Sequence, residues 1–213
     1  MNYELELHYV DIGETRVPLF VPKEESIKRV YRAHKVANPA APFPYWAKVW
    51  PSAVALSTFI QLHPGYVENK EVLELAAGLG LPTLLAARFA HRVCCSDYLP
   101  DPLQAADQSI SYNKFTNATT RLLDWHHLPP ELMPDVLLLS DINYDPKEFD
   151  ILYKVLSGFL QKRATILLST PQRLMAKPFI ERLLPWCIHQ EEILIKYKEE
   201  DTLISVFVLK IQV

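Results

Sequence analysis

Two of the chain's 5 glycines, against 17 prolines, fall in the stretch Glu74-Leu75-Ala76-Ala77-Gly78-Leu79-Gly80. An apolar run precedes it and helix-compatible residues follow. Glycine there permits a tight turn and lets a ligand approach the backbone closely; the alternative is a strand-to-helix turn with no ligand. A dinucleotide fingerprint read from Gly78 needs Gly or Ala at position 83, where this chain has Thr83. Read from Ala76, the spacing is A-x-G-x-G, that of an S-adenosylmethionine loop. That cofactor has no phosphate to cradle and carries an ammonium and a sulfonium, which an acidic neighbour such as Glu74 suits.

Three further marks follow. Asp97 ends the next apolar run and is placed to accept from ribose hydroxyls; the alternative is an ordinary acid ahead of a helix. Asp124 and Trp125 close a later strand, where the acid can accept from an adenine amino group and the indole can lie by the base. A packed strand end is the other reading. Asp141-Ile142-Asn143-Tyr144-Asp145 ends a fourth run. There Asp141 and Tyr144 would line the place where a methyl acceptor meets the sulfonium, unless the segment is only a polar turn before Pro146. In-line methyl transfer asks mainly that nucleophile and methyl be held at about 3–3.5 Å. An amine acceptor must also be neutral, although free lysine has a pKa of about 10.4. A carboxylate orients the amine, a tyrosine hydroxyl accepts from it, and desolvation beside a sulfonium favours its neutral form.

The elements that must position these residues are short apolar runs alternating with helical stretches. The runs are Val72–Leu75, Val93–Ser96, Asp135–Ser140 and Thr165–Ser169; the helices are Pro82–Ala90, Pro102–Asn113, Lys147–Leu160 and Met175–Leu184. This alternation predicts an α/β fold with a mostly parallel sheet. Ile193–Tyr197, a turn at Lys198-Glu199-Glu200-Asp201, and Leu203–Ile211 predict a final antiparallel pair. Ahead of the sheet, alternating Leu5, Leu7 and Tyr9 with Val17–Val21 predict a hairpin. A helix from Pro51 has Val54, Ala55, Thr58 and Phe59 as its buried stripe, and Ser26–Val36 is a further helical stretch.

Composition narrows the class. The chain has 213 residues and a net charge of −3, enough for one full-sized core and without a basic face, which weighs against nucleic acid. No apolar run reaches the 18 or so residues of a membrane span, and the start has neither the basic nor the apolar block of a signal peptide. Cys94, Cys95 and Cys187 form no CxxC, and a reduced cytoplasmic or organellar-matrix protein is the expectation. Cys94 and Cys95 are expected on opposite faces of a strand. No metal set is expected: adjacent His126 and His127 do not share a face. Tyr3, Tyr9 and Tyr31 are read as hairpin packing.

Pro44-Tyr45-Trp46-Ala47-Lys48-Val49-Trp50-Pro51, then Glu74 to Gly80, Asp97, Leu123-Asp124-Trp125 and Asp141-Ile142-Asn143-Tyr144 occur in order. Together they resemble the seven-β-strand methyltransferases of family 16, which include protein lysine methyltransferases with a D-x-x-Y motif. The Tyr-Trp-Ala and Trp-Pro segment is most similar to the branch acting on the electron-transfer flavoprotein β subunit. The resemblance implies a Rossmann-like class I methyltransferase fold with a seven-stranded sheet. It implies S-adenosylmethionine held by Trp50, Glu74, Ala76, Gly78, Gly80, Asp97, Asp124 and Trp125, with Asp141 and Tyr144 facing the acceptor. Ala76 departs from the family's usual first glycine. Ile142-Asn143 is not the Pro-Pro of nucleobase amino-methylating enzymes. Residues 1–43 are then an extension shaping the acceptor site, and 44–213 the catalytic domain. A lysine of a partner protein is the expected acceptor. A small amine or heteroaromatic nitrogen, or an inactive interaction module, are the alternatives.

Overall fold

The computed structural model describes residues 3–197 and 200–212. The sequence opens with an antiparallel hairpin of β1 (Leu5–Ile12) and β2 (Thr15–Pro22). Gly13 turns it with a positive φ of 56°. Helix α1 (Glu24–Ala37) carries acids in its first turn and His34 and Lys35 in its last, matching the helix dipole at both ends. Helix α2 (Pro51–Leu62) starts at proline as expected. It is buried nearly all round, on Val54, Ala55, Leu56, Phe59 and Ile60, while Thr58 is only half-buried.

The remaining elements alternate: β3 (Glu71–Glu74), α3 (Leu81–Ala86), β4 (Arg92–Asp97), α4 (Pro100–Tyr112), β5 (Ala118–Leu122), β6 (Val136–Ser140), α5 (Phe149–Gln161), β7 (Thr165–Pro171), α6 (Lys177–Leu183), β8 (Cys187–Tyr197) and β9 (Glu200–Leu209). Among the described residues, seven of nine strands form one sheet in the order β5-β4-β3-β6-β7-β9-β8. Its first five are parallel, and β9 slots antiparallel between β7 and β8. The chain leaves β3 toward β4 on one side and returns to β6 on the other. The crevice over the carboxyl ends of β3 and β6 is therefore a topological switch point, where ligands of such sheets bind.

Some boundaries differ from the expectation. Helix α3 ends at Ala86 because the next residues tighten into turns, Arg88 N–H to Leu85 O and Phe89 N–H to Ala86 O. The Lys147 helix begins instead as a 3₁₀ turn, Pro146–Glu148, capped by Asp145. Strand β8 starts six residues early, at Cys187, since half-exposed edge residues such as His189 break the apolar pattern. Of the anticipated turn, Lys198 and Glu199 lie outside the described residues.

Two cores flank the sheet. One joins α2, α3 and α4 to Ile12, Val17 and Leu19 of the hairpin; the other holds α5 and α6. The hairpin also donates Phe20 N–H to Ser109 Oγ (2.9 Å) and accepts Asn113 Nδ2 on Pro18 O (2.9 Å). Cys95 is fully buried beside Ala77 and Ala106, whereas Cys94 packs on the other core, so the pair does straddle the sheet. Among the described residues no helix is long and apolar enough to cross a membrane.

Candidate active site

The loop after β3 is shaped by three left-handed residues: Ala76 (φ 52°), Gly78 (φ 55°) and Gly80 (φ 71°). A Cβ on Gly80 would stand 2.9 Å from Cys95 Sγ, and one on Gly78 would meet Trp46 O at 3.4 Å. The two glycines are thus required by conformation, and Gly80 by space as well. Ala76 takes the same conformation at a cost of about 1–2 kcal/mol, and its methyl group is the smallest side chain that could do so.

Two carboxylates hold this loop. Asp97, at the end of β4, accepts from Gly78 N–H (3.0 Å) on one oxygen and from Leu99 N–H (3.1 Å) on the other. It is 4% exposed. Burial pushes its pKa up, against the pull of the Leu99, Gly78 and Tyr98 backbone N–H groups. A carboxylate has about four lone-pair positions, so capacity remains for a hydroxyl donor. Glu74 is fully buried. One of its oxygens accepts from both the N–H (2.8 Å) and Oγ1 (2.6 Å) of Thr83; the other, Oε1, has no partner. Burial first, then the nearby Asp97 charge, push its pKa up to about 8 despite the Thr83 bonds.

Around this loop, Trp50 caps α2 half-buried and donates from Nε1 to Tyr45 O (2.8 Å). Trp46, whose backbone lies against Gly78, meets Tyr3 edge-on at 5.0 Å. Asp124 caps its own 3₁₀ turn through His126 N–H (2.9 Å) and sits 3.4 Å from His127 Nδ1. The His126 N–H holds its pKa down. The half-buried Trp125 indole donates to Glu148 Oε2 (3.1 Å).

Across the crevice, Ile142 and Asn143 are buried, Asp141 is largely buried with 13% of its side chain exposed, and Tyr144 stands half in solvent. Asn143 Oδ1 accepts from Thr170 Oγ1 (2.7 Å), tying the ends of β6 and β7 together. Asp141 sits at φ 57°, a conformation Asp tolerates better than most residues. Its carboxylate is gripped by both terminal nitrogens of Arg173, from just beyond β7. Tyr144 is half-exposed; burial raises its pKa, as do the nearby Tyr98 and Asp97. Its hydroxyl is therefore protonated at neutral pH.

The ten residues singled out by sequence thus all lie at the carboxyl ends of β3, β4, β5 and β6 or at the head of α2. Glu74 stands behind the loop as a buried brace, and Asp124 is occupied in capping. Sequence reasoning missed Thr83, Tyr98 and Arg173. Only Thr83 carried a signal, as the polar residue where a dinucleotide loop has glycine. Arg173 lies 32 residues from the aspartate it grips, and nothing local connects them.

A switch-point crevice with a tight loop, a buried acid after each of β3 and β4, and a D-x-x-Y edge defines a class I methyltransferase. Solved structures agree on the fold. They include a Thermus thermophilus 16S rRNA N2 G1207 methyltransferase with AdoMet and guanosine (TM-score 0.65, 15% identity, 97% of this chain and 50% of that one). Another is the N-methyltransferase NodS of Bradyrhizobium japonicum WM9 with S-adenosyl-L-homocysteine (TM-score 0.61, 12% identity, 83% and 97%). The family described as lysine methyltransferase matches residues 45–186, and the chain belongs to it; its cofactor is S-adenosylmethionine. Relatives include the human histone-arginine methyltransferase METTL23, 32% identical over 66% of this chain and 80% of that protein. The Xenopus laevis protein of the same name is 36% identical over 56% and 53%. The human electron transfer flavoprotein beta subunit lysine methyltransferase is 30% identical over 61% and 50%. The chain thus spans about half the length of two of these three.

Proposed function

We propose that the chain methylates a side-chain nitrogen of a protein, with lysine as the acceptor. The observation that carries this reading is that Asp141 and Tyr144 follow β6, the strand paired with β3, at the same carboxyl-end switch point as the glycine loop. The loop residues fit the cofactor: left-handed Ala76, Gly78 and Gly80 turn the backbone tightly, and Glu74 behind it keeps an unpartnered buried oxygen. When bound, the cofactor supplies an electrophilic methyl on a sulfonium. Asp97 would offer remaining lone pairs to ribose hydroxyls, Trp50 and Trp125 would flank the nucleoside, and Asp124 would serve the adenine edge. Asp141 orients the incoming amine, and Tyr144, its hydroxyl protonated, accepts one of the amine's hydrogens, so that the nitrogen lone pair points along the line of transfer. Desolvation in the crevice and the positive sulfonium would favour the neutral amine.

A protein acceptor is supported by the named activities of the relatives, which act on histone arginine and on a flavoprotein subunit's lysine. Arginine is a second reading with its own support, since Asp141 already receives a guanidinium as a two-pronged fork from Arg173, the geometry that suits carboxylates best. The hairpin and the aromatic chain Tyr31, Phe43 and Tyr45 would border the acceptor's approach.

The test is to incubate the protein with isotope-labelled S-adenosylmethionine and a cell extract, then hydrolyse the labelled proteins to amino acids. Label in methyllysine is the expected result. Label in methylarginine would establish the second reading, and label confined to small molecules would overturn both.

A further inference from the structure

Away from the crevice, at the far end of α2, two histidines converge on one carboxylate oxygen. His63 caps the helix, its N–H bonded to Phe59 O (2.8 Å). His189 and Glu191 lie two apart on β8, so they share a face. A register shift between Cys187 and His189 re-aims that part of the strand, as bulges do. His63 Nε2 stands 2.9 Å and His189 Nε2 3.7 Å from Glu191 Oε2. The three ligand atoms lie within 4.8 Å of one another.

We infer that His63, His189 and Glu191 form a binding site for a divalent transition-metal ion, zinc being the one its donors suit. Two imidazole nitrogens and one carboxylate oxygen, with a fourth position open to water, are a known zinc set. Zinc's donor atoms, at about 2.0–2.2 Å from the metal, sit roughly 3.3 Å apart. Two sides of the present triangle bracket that value, and only small side-chain movements are needed to close the third.

Three features favour an ion over a simple hydrogen-bonded trio. Among the described residues no lysine or arginine pairs with Glu191, so its charge faces imidazoles alone. Its neighbours across the strand pair are apolar, Val208 opposite His189 and Val206 opposite Glu191. Phe59 backs both rings, at 4.6 Å from His63 and 5.9 Å from His189, which limits where they can turn. The sequence hid this set because its members stand as far as 128 residues apart. An ion there would clip the end of α2 to the edge strand β8, at the opposite end of the helix from Trp50.

Cobalt(II), titrated into chelator-treated protein, tests the site through its visible absorption. The expected result is one equivalent bound, with the strong 500–600 nm bands of four- or five-coordination, displaced by zinc. His189→Ala and Glu191→Gln should each weaken binding by at least about tenfold, while His127→Ala leaves it unchanged. Zinc should raise the melting temperature of the parent by several degrees and of the two variants far less. Glu191→Gln is nearly isosteric at a half-exposed position, so it keeps the test decisive if His189→Ala folds poorly. No strong bands, or bands equal in parent and both variants, would overturn the assignment.

Discussion

The two walls of the crevice are built by different means. The β3–β4 wall is made of backbone: three left-handed residues, a glycine with no room for a Cβ, and a carboxylate fastened to two N–H groups. The β6–β7 wall is made of side chains, where Asp141 is held by the flexible side chain of Arg173 and Tyr144 is half in solvent. A wall of backbone is set before any ligand arrives and suits a cofactor that never varies. A wall of exchangeable side chains suits an acceptor that must enter, react and leave. The difference makes each wall answer to a different measurement.

The largest effect should come from the acceptor wall. Asp141→Asn keeps a residue that tolerates the positive φ but removes the charge proposed to orient the amine. It should lower kcat by about 10²-fold or more, with cofactor affinity within a few fold. Calorimetric cofactor binding that fell in step with turnover would erase the distinction between the walls. Next is Asp97→Ala. It strips an ionic acceptor from ribose hydroxyls, worth about 1.5–3 kcal/mol, and frees Gly78 N–H from its partner. Cofactor affinity should drop by more than tenfold, while KM for the acceptor at saturating cofactor stays close to the parent value.

Glu74→Gln probes how the backbone wall is braced. Burial raises the folded-state pKa of Glu74 to about 8, against about 4.3 in an unfolded chain. The folded state therefore holds a proton that the unfolded state has released. That contribution to stability is fully present below about pH 4.3, declines as pH rises, and is lost above about pH 8. The glutamine variant cannot ionise. Its melting temperature relative to the parent should rise between pH 6 and pH 9, by a few degrees. Parallel melting curves across that range would mean that Glu74 is already ionised in the folded protein.

What the sequence disclosed follows the same division. The glycine loop, Asp97 and the alternation of runs and helices were readable because backbone demands leave local marks: a rare residue type, a fixed spacing, a period. The mostly parallel sheet and the terminal antiparallel pair needed only those periods, whereas the strand order, with β9 slotted between β7 and β8, was not read. What depends on side chains meeting across the fold was invisible. Thr83 bracing Glu74 could be suspected only from a broken fingerprint. Arg173 against Asp141, and His63 against His189 and Glu191, join distant segments through packing that no local pattern encodes.

Arg173 sharpens the comparison most finely. Its guanidinium occupies the Asp141 carboxylate, so under the proposed function each turnover would exchange a resident cation for an incoming amine. Arg173→Ala removes the competitor, and KM for the acceptor should fall by about three- to tenfold, as expected for losing a charge-assisted pair of about 1 kcal/mol at a part-exposed site. Cofactor affinity should not move, because among the described residues no hydrogen bond or ion pair joins Asp97 or the loop to either residue. Arg173→Lys keeps the charge without the fork and should fall between the two. If KM rose instead and kcat fell with it, Arg173 would be holding Asp141 in its working orientation. The acceptor wall would then be as pre-set as the cofactor wall, through a side chain in place of backbone.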